Sequence, residues 1–469
     1  MEQKGTATLL ELAAKSLLSN EPAAIHALEE LPRDLFVPLF GAAFLGGHTK
    51  VLKELVRVWP FCCLHIRTSF REKSYYEILE AMIDGLQILP AQNPSARRPK
   101  LRILDLRQDL ECETTCSEFQ KRTPSCSESC IYSQHSILKM KEARQHNVQC
   151  LGIVHSESEP QSAWEPVELL VDISISGTLR KNQFLSFLQR KVEQSFGSLH
   201  LCCRGLQIDN MSSDRSILRL VDMGCTDYLE VKNADLSEVT TLVSEMIHLT
   251  SLSLFNIPTK SCKGRKFRNF LTGLERLDNL QDISLSFFYL KNQLQKLLRV
   301  LPPEVDIFYL SSCGLSNRDV TALSQSPQAT HIMLLDLSNN EIFSEDYGPF
   351  QTLLENVSGT LQHLEVNNCQ ITDSALSAVL PALSRCTRLR VLSFVHNPIT
   401  MAMLISLLQQ LISLMELKHV IYPIPVHCYE QRASRSRLNR RKLAKVQAQL
   451  KVMLLAVQRD DMNWTASHE

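Results

Sequence analysis

The sequence predicts an α/β fold in which one short structural unit recurs along the C-terminal two-thirds of the chain. Two segments nearly complete the pattern L-x-x-L-x-L-x-x-N/C-x-L, one starting at Ile332 and the other at Leu361. Partial copies start at Val305, Leu389, Leu280, Leu249, Thr226 and Phe196. Successive starts lie roughly 23 to 31 residues apart, in or near the range of about 20–29 residues that is typical of leucine-rich repeats. The predicted architecture is therefore a leucine-rich-repeat solenoid.

Each copy is expected to contribute one short strand and to return through a helix. In one nearly complete copy, Leu335 and Leu337 point into the core while Asp336 faces outward, because side chains alternate along a strand. The Asn or Cys of the pattern is expected to satisfy backbone groups where the chain turns. Between strands the apolar spacing becomes helical, as in residues 375–383 and 403–411. Because a single copy cannot bury its apolar side, the copies stack into a horseshoe with parallel strands on the concave face and helices on the convex face.

Composition narrows the classes of function. The 469-residue chain is 44% hydrophobic and balances 50 Lys and Arg against 50 Asp and Glu, so no global charge attracts nucleic acid or a membrane. The 15 cysteines are scattered, Met1 leads into no signal peptide and no run of about 18 apolar residues occurs, which predicts a reducing, cytoplasmic and nuclear setting. With only 15 glycines, a phosphate-binding loop is not expected.

The order of the predicted elements divides the chain into five parts. Residues 1–100 are expected to form a helical module, because short Leu- and Ala-rich segments are separated by prolines. Residues 101–107 resemble an isolated first rung of the solenoid, and 108–166 read as a flexible insertion rich in Ser, Thr, Glu and Gln. The solenoid proper is predicted to span 167–425. Residues 426–469 are expected to hold a capping helix and a tail.

The first predicted helix carries a short interaction motif. Thr8 and Glu11 match a capping box, and Leu9, Ala13 and Leu17 recur every four residues and so share one helical face. The run also fits the elongin-binding pattern known as the BC-box. The alternative is an amphipathic helix that only caps the solenoid.

A second short motif follows roughly a dozen residues later. Leu31, Pro32 and Leu35 fit the apolar-Pro-x-x-apolar pattern of the cullin-2 box. An ordinary Leu-Pro turn is one alternative, and residues 31–36 also resemble the start of an F-box, which would bind a Skp1 adaptor. The order and spacing of the two motifs strengthen the elongin and cullin-2 interpretation, and the alternatives stay open on the residues alone.

Two leucine motifs of the kind that binds nuclear receptors occur in the predicted repeat helices: Leu294-x-x-Leu297-Leu298 and Leu404-x-x-Leu407-Leu408. Burying such leucines is worth about 1.5–3 kcal/mol each, so they are predicted to belong to the solenoid core. A receptor would reach them only if the repeat unfolded.

Four cysteines and two histidines of the insertion invite comparison with a tetrahedral zinc site: Cys112, Cys116, Cys126, Cys130, His135 and His146. Their three-residue spacing within each pair and their polar context favour exposed reduced thiols, so no metal is predicted. By contrast, the pairs Cys62–Cys63 and Cys202–Cys203 lie in apolar surroundings and are predicted to be small core residues.

A dense basic run occupies the start of the capping helix predicted over 428–457: Arg432, Arg435, Arg437, Arg440, Arg441, Lys442 and Lys445. The run is typical of a solvated helix face, with nuclear import or contact with a nucleic acid backbone as alternatives. No aromatic residues interleave with the basic ones, so base stacking is unsupported and no direct nucleic acid partner is predicted.

Catalytic motifs are missing from the sequence, which contains no H-E-x-x-H, G-x-S-x-G, Walker P-loop or G-x-G-x-x-G pattern. His363 and Asp336 are predicted to be polar surface groups rather than a catalytic pair. The chain is therefore predicted not to be an enzyme and to need no cofactor.

Several segments resemble one known family across almost the whole chain. They are residues 31–40, 101–106, 199–203, 323–327, 380–386 and 419–425. On these segments the chain is similar to the PRAME family, the preferentially-expressed-antigen-in-melanoma group of leucine-rich-repeat proteins. The insertion at 108–166 departs from the family and does not align convincingly.

The resemblance implies a non-enzymatic substrate receptor of a cullin-2 ubiquitin ligase, which presents a protein target for ubiquitination and proteasomal degradation. By resemblance, elongin C of the elongin B/elongin C pair would contact Thr8, Leu9, Ala13 and Leu17, and cullin-2 would contact Leu31, Pro32 and Leu35. The family is also associated with transcriptional repression at retinoic acid receptors. The alternative is therefore a corepressor scaffold that binds a nuclear receptor or chromatin protein without a ligase.

The concave strand face is expected to contact the protein substrate. By strand alternation its outward residues include Glu230, Lys232, Tyr309, Asp336, Ser338, Glu365 and Asn367. A substrate held there would lie near the ligase-bound E2 enzyme, which raises the effective concentration of a target lysine without new chemistry.

Overall fold

The structure is a computed structural model that describes residues 8–66, 73–87, 100–107, 166–175, 179–195, 197–210, 218, 221–343, 346–432 and 435–466. The insertion predicted at 108–166 lies outside these residues except for Pro166. The chain divides into two compact units. The first comprises residues up to 174 with 178–205 and 216–222, and the second comprises 175–177, 206–215 and 223–469. The division falls inside the stretch that the sequence predicts as one solenoid.

Helices make up much of the first unit. They are α1 (Leu9–Leu18), α2 (Glu21–Ala27), α3 (Arg33–Gly46), α4 (Thr49–Arg57), α5 (Lys73–Leu86) and α6 (Leu179–Gln194). The predicted capping box starts α1, because Thr8 Oγ1 accepts from the Glu11 N–H at 3.2 Å and Glu11 Oε2 accepts from the Thr8 N–H at 2.9 Å. Trp59 anchors the core of this region, and its ring meets those of Phe36 and Phe40 edge to face at 6.1 and 5.3 Å.

The first unit also contains strands β1 (Cys63–His65) and β2 (Ile103–Asp105) and most of β3 (Val167–Ile175) and β4 (Leu199–Ile208). β2 pairs in parallel with β1 on one side and with β3 on the other. The rung predicted at 101–107 therefore contains a strand, but it is neither isolated nor first. β1 lies inside the stretch predicted as a helical module, and the sequence shows no copy of the repeat pattern there that would have indicated a strand.

A buried ion cluster links the ends of β1 and β2. The Arg107 guanidinium donates to both carboxylate oxygens of Asp105 at 2.9 Å, and His65 Nδ1 lies 2.9 Å from Asp105 Oδ2. Burial raises the pKa of Asp105, but the hydrogen bonds from His65 and Arg107 outweigh burial and lower that pKa to about 2. Asp105 is therefore a carboxylate at neutral pH and is fully paired with its neighbours.

Strand and helix alternate through the second unit. The strands are β5 (Tyr228–Lys232), β6 (Ser251–Phe255), β7 (Asp282–Ser286), β8 (Ile307–Tyr309), β9 (Leu334–Asp336), β10 (His363–Glu365), β11 (Val391–Ser393) and β12 (His419–Tyr422). The intervening helices are α7 (Leu236–Glu245), α8 (Gly264–Leu274), α9 (Leu294–Leu298), α10 (Asn317–Ser324), α11 (Gly348–Val357), α12 (Asp373–Leu383) and α13 (Met401–Leu411). Each strand pairs in parallel with the next one in sequence. The predicted α/β solenoid of parallel strands and return helices is confirmed.

Alternation along each strand separates the core from the outward surface. In β5, β6 and β7 the second and fourth residues are buried while the first and third are half-buried, as period-two patterning requires. The helices contribute leucines to the same core, and the six leucines of the two receptor-like motifs are all buried. The prediction that those motifs belong to the solenoid core is therefore confirmed.

Asparagines of the repeat pattern bind the turns that follow the strands. Asn340 Oδ1 accepts from the backbone N–H groups of Cys313 and Leu315 at 3.1 and 2.9 Å. Its Nδ2 donates to the carbonyls of Leu310 and Leu337 at 2.8 and 2.9 Å. One buried side chain thus satisfies backbone groups in two successive repeats, which is the role expected for this position.

A column of left-handed residues runs beside these turns. Its members have φ between 50° and 58° and are Asn233, Asn256, Phe287, Ser312, Asn339, Asn368 and His396. Asparagine tolerates this conformation better than other non-glycine residues. Neighbouring members hydrogen-bond, since Asn256 Nδ2 donates to Asn233 Oδ1 at 2.6 Å and Asn368 Nδ2 donates to Asn339 Oδ1 at 2.9 Å.

The C-terminal segment differs from the single helix predicted over 428–457. A hairpin of β13 (Tyr429–Arg432) and β14 (Arg435–Leu438) precedes α14 (Arg440–Ala456). The helix begins at Arg440 because Asn439 Oδ1 accepts from the N–H groups of Arg441 and Lys442, both at 3.1 Å. The closely spaced arginines fit a helix as well as a strand, so they concealed the hairpin.

The tail also forms a strand that the sequence did not reveal. β15 (Asn463–Ala466) pairs in parallel with β12, and the Trp464 ring lies 5.9 Å from that of Tyr422. Upstream of β15, the buried guanidinium of Arg459 donates to the carbonyls that follow α13: Ile412, Leu414 and Leu417. These contacts fix the final strand on the second unit.

Candidate functional site

An apolar stripe on α1 is exposed to solvent. We call Leu9, Leu12 and Ala13 the α1 stripe; Leu9 is 86% exposed, and Leu12 and Ala13 are exposed as well. The opposite side of the helix buries Ala14 and Leu18. The helix begins at Leu9 because Thr8 and Glu11 form a capping box. Of its residues the core buries only Ala14 and Leu18, so the other apolar side chains remain on the surface.

The predicted elongin-binding residues differ in their exposure to solvent. Thr8, Leu9 and Ala13 are exposed, whereas Leu17 is only half exposed. Thr8 caps the helix, because its Oγ1 accepts a hydrogen bond from the Glu11 backbone N–H. Sequence reasoning missed Leu12, although its i+3 spacing from Leu9 would have indicated it.

The predicted cullin-2 residues lie at the start of α3, a helix that packs against α1. Pro32 directly precedes α3 and is exposed, and Leu31 and Leu35 are half-buried. Arg33 fixes this end of the helix, since its guanidinium donates to the Pro60 carbonyl at 3.1 Å and lies 5.3 Å from the centre of the Phe61 ring. Both predicted motifs therefore lie on neighbouring helices of one unit.

A second surface is formed by the outward residues of β5 to β10, which we call the strand face. Its central row of register partners is Glu230, Ser253, Ser284, Tyr309, Asp336 and Glu365. Four of the seven predicted substrate-contact residues, Glu230, Tyr309, Asp336 and Glu365, belong to this row. Lys232 ends β5, and Ser338 and Asn367 follow β9 and β10.

Burial limits what two of the predicted residues can contact. Asp336 is 9% exposed and Ser338 is also buried. Asp336 Oδ1 accepts from the Ser338 N–H at 2.8 Å, and Ser338 Oγ accepts from the Asn367 N–H at 3.1 Å. Alternation places their side chains outward, but they support the neighbouring turn more than they meet solvent.

Ion pairs organise the two ends of the strand face. Glu230 receives a hydrogen bond from Tyr228 at 2.6 Å and pairs with Lys232 at 2.8 Å. Burial raises the pKa of Glu230, but the hydrogen bonds from Lys232 and Tyr228 outweigh it, so the pKa is lowered. At the other end, His363 lies 2.8 Å from Glu365 and lowers the pKa of that carboxyl.

The chemistry of the buried thiols differs from that of a nucleophile or metal ligand. Burial raises the pKa of Cys313, Cys369 and Cys386 to about 12, so these thiols stay protonated at neutral pH. Cys63, Cys202 and Cys203 are buried as predicted, while Cys62 is half-buried. The six residues considered as zinc ligands, Cys112, Cys116, Cys126, Cys130, His135 and His146, lie outside the described residues.

The basic run near the C-terminus lies on β13, β14 and the first turns of α14. The side chains of Arg437, Arg440, Arg441, Lys442 and Lys445 are exposed. This exposure agrees with a solvated face. In the described part of the chain, no helix combines the length and apolar character needed to cross a membrane.

Parallel strands, return helices and asparagine-bearing turns together define the class of this protein as a leucine-rich-repeat solenoid. Residues 6–112 match the family model of the PRAME N-terminal domain, and residues 167–464 match that of the PRAME C-terminal domain. The chain therefore belongs to the PRAME family, as the resemblance in its sequence indicated.

Similar proteins support the same assignment over nearly the full length. Human leucine-rich repeat-containing protein 14 is 32% identical over 501 residues, covering 98% of this chain and 97% of that protein. Human PRAME family member 12 is 33% identical over 435 residues, covering 90% and 85%. The functional domain of InlJ from Listeria monocytogenes is a solved structure with 18% identity that covers 48% of this chain and 44% of its own, but its TM-score of 0.26 adds nothing to the assignment. The relatives bear names of repeat-containing or PRAME family proteins, not of enzymes.

Proposed function

We propose that this protein is the substrate receptor of a cullin-2/elongin BC ubiquitin ligase. The α1 stripe is the observation that carries the proposal. A helix that only capped a solenoid would be expected to bury its leucines, and burial of a residue such as Leu9 is worth about 1.5–3 kcal/mol. Leu9, Leu12 and Ala13 have the i, i+3, i+4 spacing with which a helix enters the groove of a partner. The small Ala13 side chain would let elongin C approach the helix closely.

The start of α3 supports a cullin-2 contact beside elongin. Pro32 is exposed, and the packing of α1 against α3 would let one adaptor complex cover both motifs. Arg33 holds this turn through Pro60 and Phe61, so the segment requires little ordering when a partner binds.

The proposed mechanism is proximity rather than catalysis by this chain. The strand face would hold a protein substrate while the α1 stripe and the start of α3 attach the receptor to the ligase. A lysine of the bound substrate then meets the E2 enzyme at a high effective concentration. Ubiquitination and proteasomal degradation of that substrate would follow.

A pair of matched leucine substitutions tests the proposal. Leu9→Ser removes the centre of the α1 stripe, while Leu45→Ser changes a leucine of the same unit that is 71% exposed at the far end of α3. The full-length protein is co-expressed with elongin B, elongin C and cullin-2 and then purified by an affinity tag. We expect Leu9→Ser to lose elongin C and Leu45→Ser to retain it, with both proteins melting at the wild-type temperature. Retention of elongin C by Leu9→Ser would reject the proposal.

A further substitution separates the alternatives. Pro32→Ala is expected to weaken capture of cullin-2 while elongin C is retained. Capture of Skp1 without elongin C, weakened by Pro32→Ala, would instead support an F-box-like adaptor. A corepressor scaffold predicts that a nuclear receptor or chromatin protein is bound while both adaptors are absent.

A further inference from the structure

An exposed aromatic pair interrupts the polar border of the strand face. Phe255 ends β6 and is 39% exposed, and Phe287 directly follows β7 and is 54% exposed. The two rings meet edge to face with their centres 5.3 Å apart. Exposed apolar groups that adjoin on a surface mark interaction sites more often than isolated ones do.

Phe287 occupies a position that asparagine fills in other repeats. It belongs to the left-handed column that includes Asn256 before it and Asn339 and Asn368 after it, and its φ is 52°. A bulky aromatic residue adopts this conformation only at a cost, and it cannot make the hydrogen bonds that link the asparagines. Stability of the turn therefore does not explain why Phe287 is here.

The outward side chains that lead away from the aromatic pair along β6 and β7 are mostly small, and we call this strip the trough. Ser251 and Ser253 on β6 lie beside Asp282 and Ser284 on β7, and Ser286 lies beside Phe255. The flanking strands carry larger outward side chains: Tyr228 and Glu230 on β5, and Tyr309 on β8. Small side chains between larger ones leave room for an extended backbone.

The end of the trough opposite the aromatic pair carries two carboxyl groups, since Asp282 starts β7 and Asp306 directly precedes Ile307, the register partner of Asp282 on β8. Burial raises the pKa of Asp282, and the charge of Asp306 raises it further. Burial also raises the pKa of Asp306, which His331 opposes in part. These carboxylates are therefore desolvated and repel one another, and a cation placed between them would relieve both effects.

His331 offsets the charge at this end only in part, through Asp306. Among the described residues, the outward positions of β6 to β10 carry no lysine or arginine. Lys232 stands at the aromatic end and pairs with Glu230 at 2.8 Å, and His363 pairs with Glu365 at 2.8 Å. The Coulombic influence of Glu365, Asp282 and Asp336 adds to burial in raising the pKa of Tyr309, which reports the same negative surroundings.

We propose that the trough on β6 and β7 docks an extended protein segment in which a lysine or arginine and an apolar residue are separated by about three residues. The apolar side chain packs on Phe255 and Phe287, and the cation lies beside Asp282 and Asp306. The spacing follows from β7 itself, since four steps of about 3.3 Å from Asp282 to Ser286 amount to about 13 Å. The segment carries a positive charge because it must complement the carboxylates of Asp282 and Asp306. Its length follows from the distance between these carboxylates and the aromatic pair.

The docked segment acts as a substrate only under the proposed ligase function, but its binding is independent of elongin. A random peptide library displayed on phage is therefore selected on the immobilised full-length protein. We expect selected peptides to carry Lys or Arg and an apolar residue at the stated spacing. Enrichment of acidic peptides, or no enrichment over a blank support, would overturn the proposal.

Two variants test the positions of the contacts. Phe287→Asn restores the residue type of the column and is therefore expected to fold without added strain. It is expected to weaken binding of the fluorescein-labelled selected peptide by about tenfold. Asp282→Asn is measured with that peptide and with its citrulline-substituted form. It should weaken the cationic peptide by about tenfold and leave the citrulline peptide unchanged, which assigns the loss to the charge pair.

A matched control removes the same charge elsewhere. Glu245→Gln changes an exposed carboxylate at the end of α7 and should leave the affinity for the peptide at the wild-type value. Equal losses for Glu245→Gln and Asp282→Asn would reduce the interaction to nonspecific charge attraction and overturn the proposal. Leu9→Ser should still bind the peptide but no longer bind elongin C, whereas Phe287→Asn should still bind elongin C. Failure of the docking proposal is thereby distinguished from failure of the proposed ligase function.

Discussion

Substitution of Asn340 by alanine is expected to destabilise the second unit far more than an average surface substitution. The side chain is buried, and Oδ1 is the acceptor for the N–H groups of Cys313 and Leu315. Alanine leaves both donors buried without that acceptor, and each such donor costs about 1–3 kcal/mol. The expected loss in the free energy of unfolding is therefore about 2–6 kcal/mol.

Urea denaturation followed by circular dichroism measures this loss, and amide hydrogen exchange locates it. The amides of Cys313 and Leu315 should exchange faster in Asn340→Ala than in the wild type. The control is Asn339→Gly, because Asn339 is exposed, its φ of 58° suits glycine, and the change is expected to cost about 1 kcal/mol or less. A loss below about 1 kcal/mol for Asn340→Ala would refute the reasoning that one side chain sustains two turns.

Further predictions concern the core, an ion cluster and the thiols. Leu407→Ala should lower the unfolding free energy by about 2–5 kcal/mol in urea denaturation, whereas exposed Leu455→Ala should change it by about 0.5 kcal/mol or less; similar values would contradict burial of the receptor-like motif. Because the folded pKa of Asp105 is lowered to about 2, its stabilisation is present above the unfolded pKa and is lost as pH falls through about 4 to about 2. Asp105→Asn should reduce the difference in the free energy of unfolding between pH 6 and pH 2 by about 2 kcal/mol, as measured by urea denaturation at both pH values. An unchanged difference would show that ionisation of Asp105 does not contribute to the pH dependence of stability. Cys313 and Cys369 should resist iodoacetamide at pH 8 until urea unfolds the chain, and mass spectrometry would detect any labelling in the folded state.

The repeating part of the fold is predictable because its signal is redundant. Strands β5 to β8 and β10 alternate buried and outward residues, and each strand from β5 to β11 is followed by a helix that contributes apolar residues to the core. The roles of Asn340 and the leucines of α9 and α13 follow from the same pattern. β1 and β15 escape it because neither lies in one of the copies of the repeat pattern that the sequence shows, and each pairs with a strand remote in sequence.

The candidate surfaces are only partly predictable for a different reason. Periodicity assigns Leu9 and Ala13 to one helical face, but it does not tell which face the core will cover, so Leu12 was missed. Alternation sets the direction of Asp336 and not its depth, and neighbouring turns bury it. Phe287 follows the end of its strand, where alternation no longer applies, and only the backbone conformation reveals its place in the column.

The attachment of β15 beside β12 bears on how the chain is handled and degraded. β15 covers the outer edge of β12 and becomes the last strand of the sheet, so the edge is moved away from the solenoid strands. Proteolytic nicking upstream of Arg459 would release both the strand and the guanidinium that ties the chain to the carbonyls after α13. Shortened forms that stop before residue 459 should therefore unfold at lower urea concentrations than recombinant versions that keep residues 459–466, because β12 loses its neighbour and the carbonyls of Leu414 and Leu417 lose a buried partner.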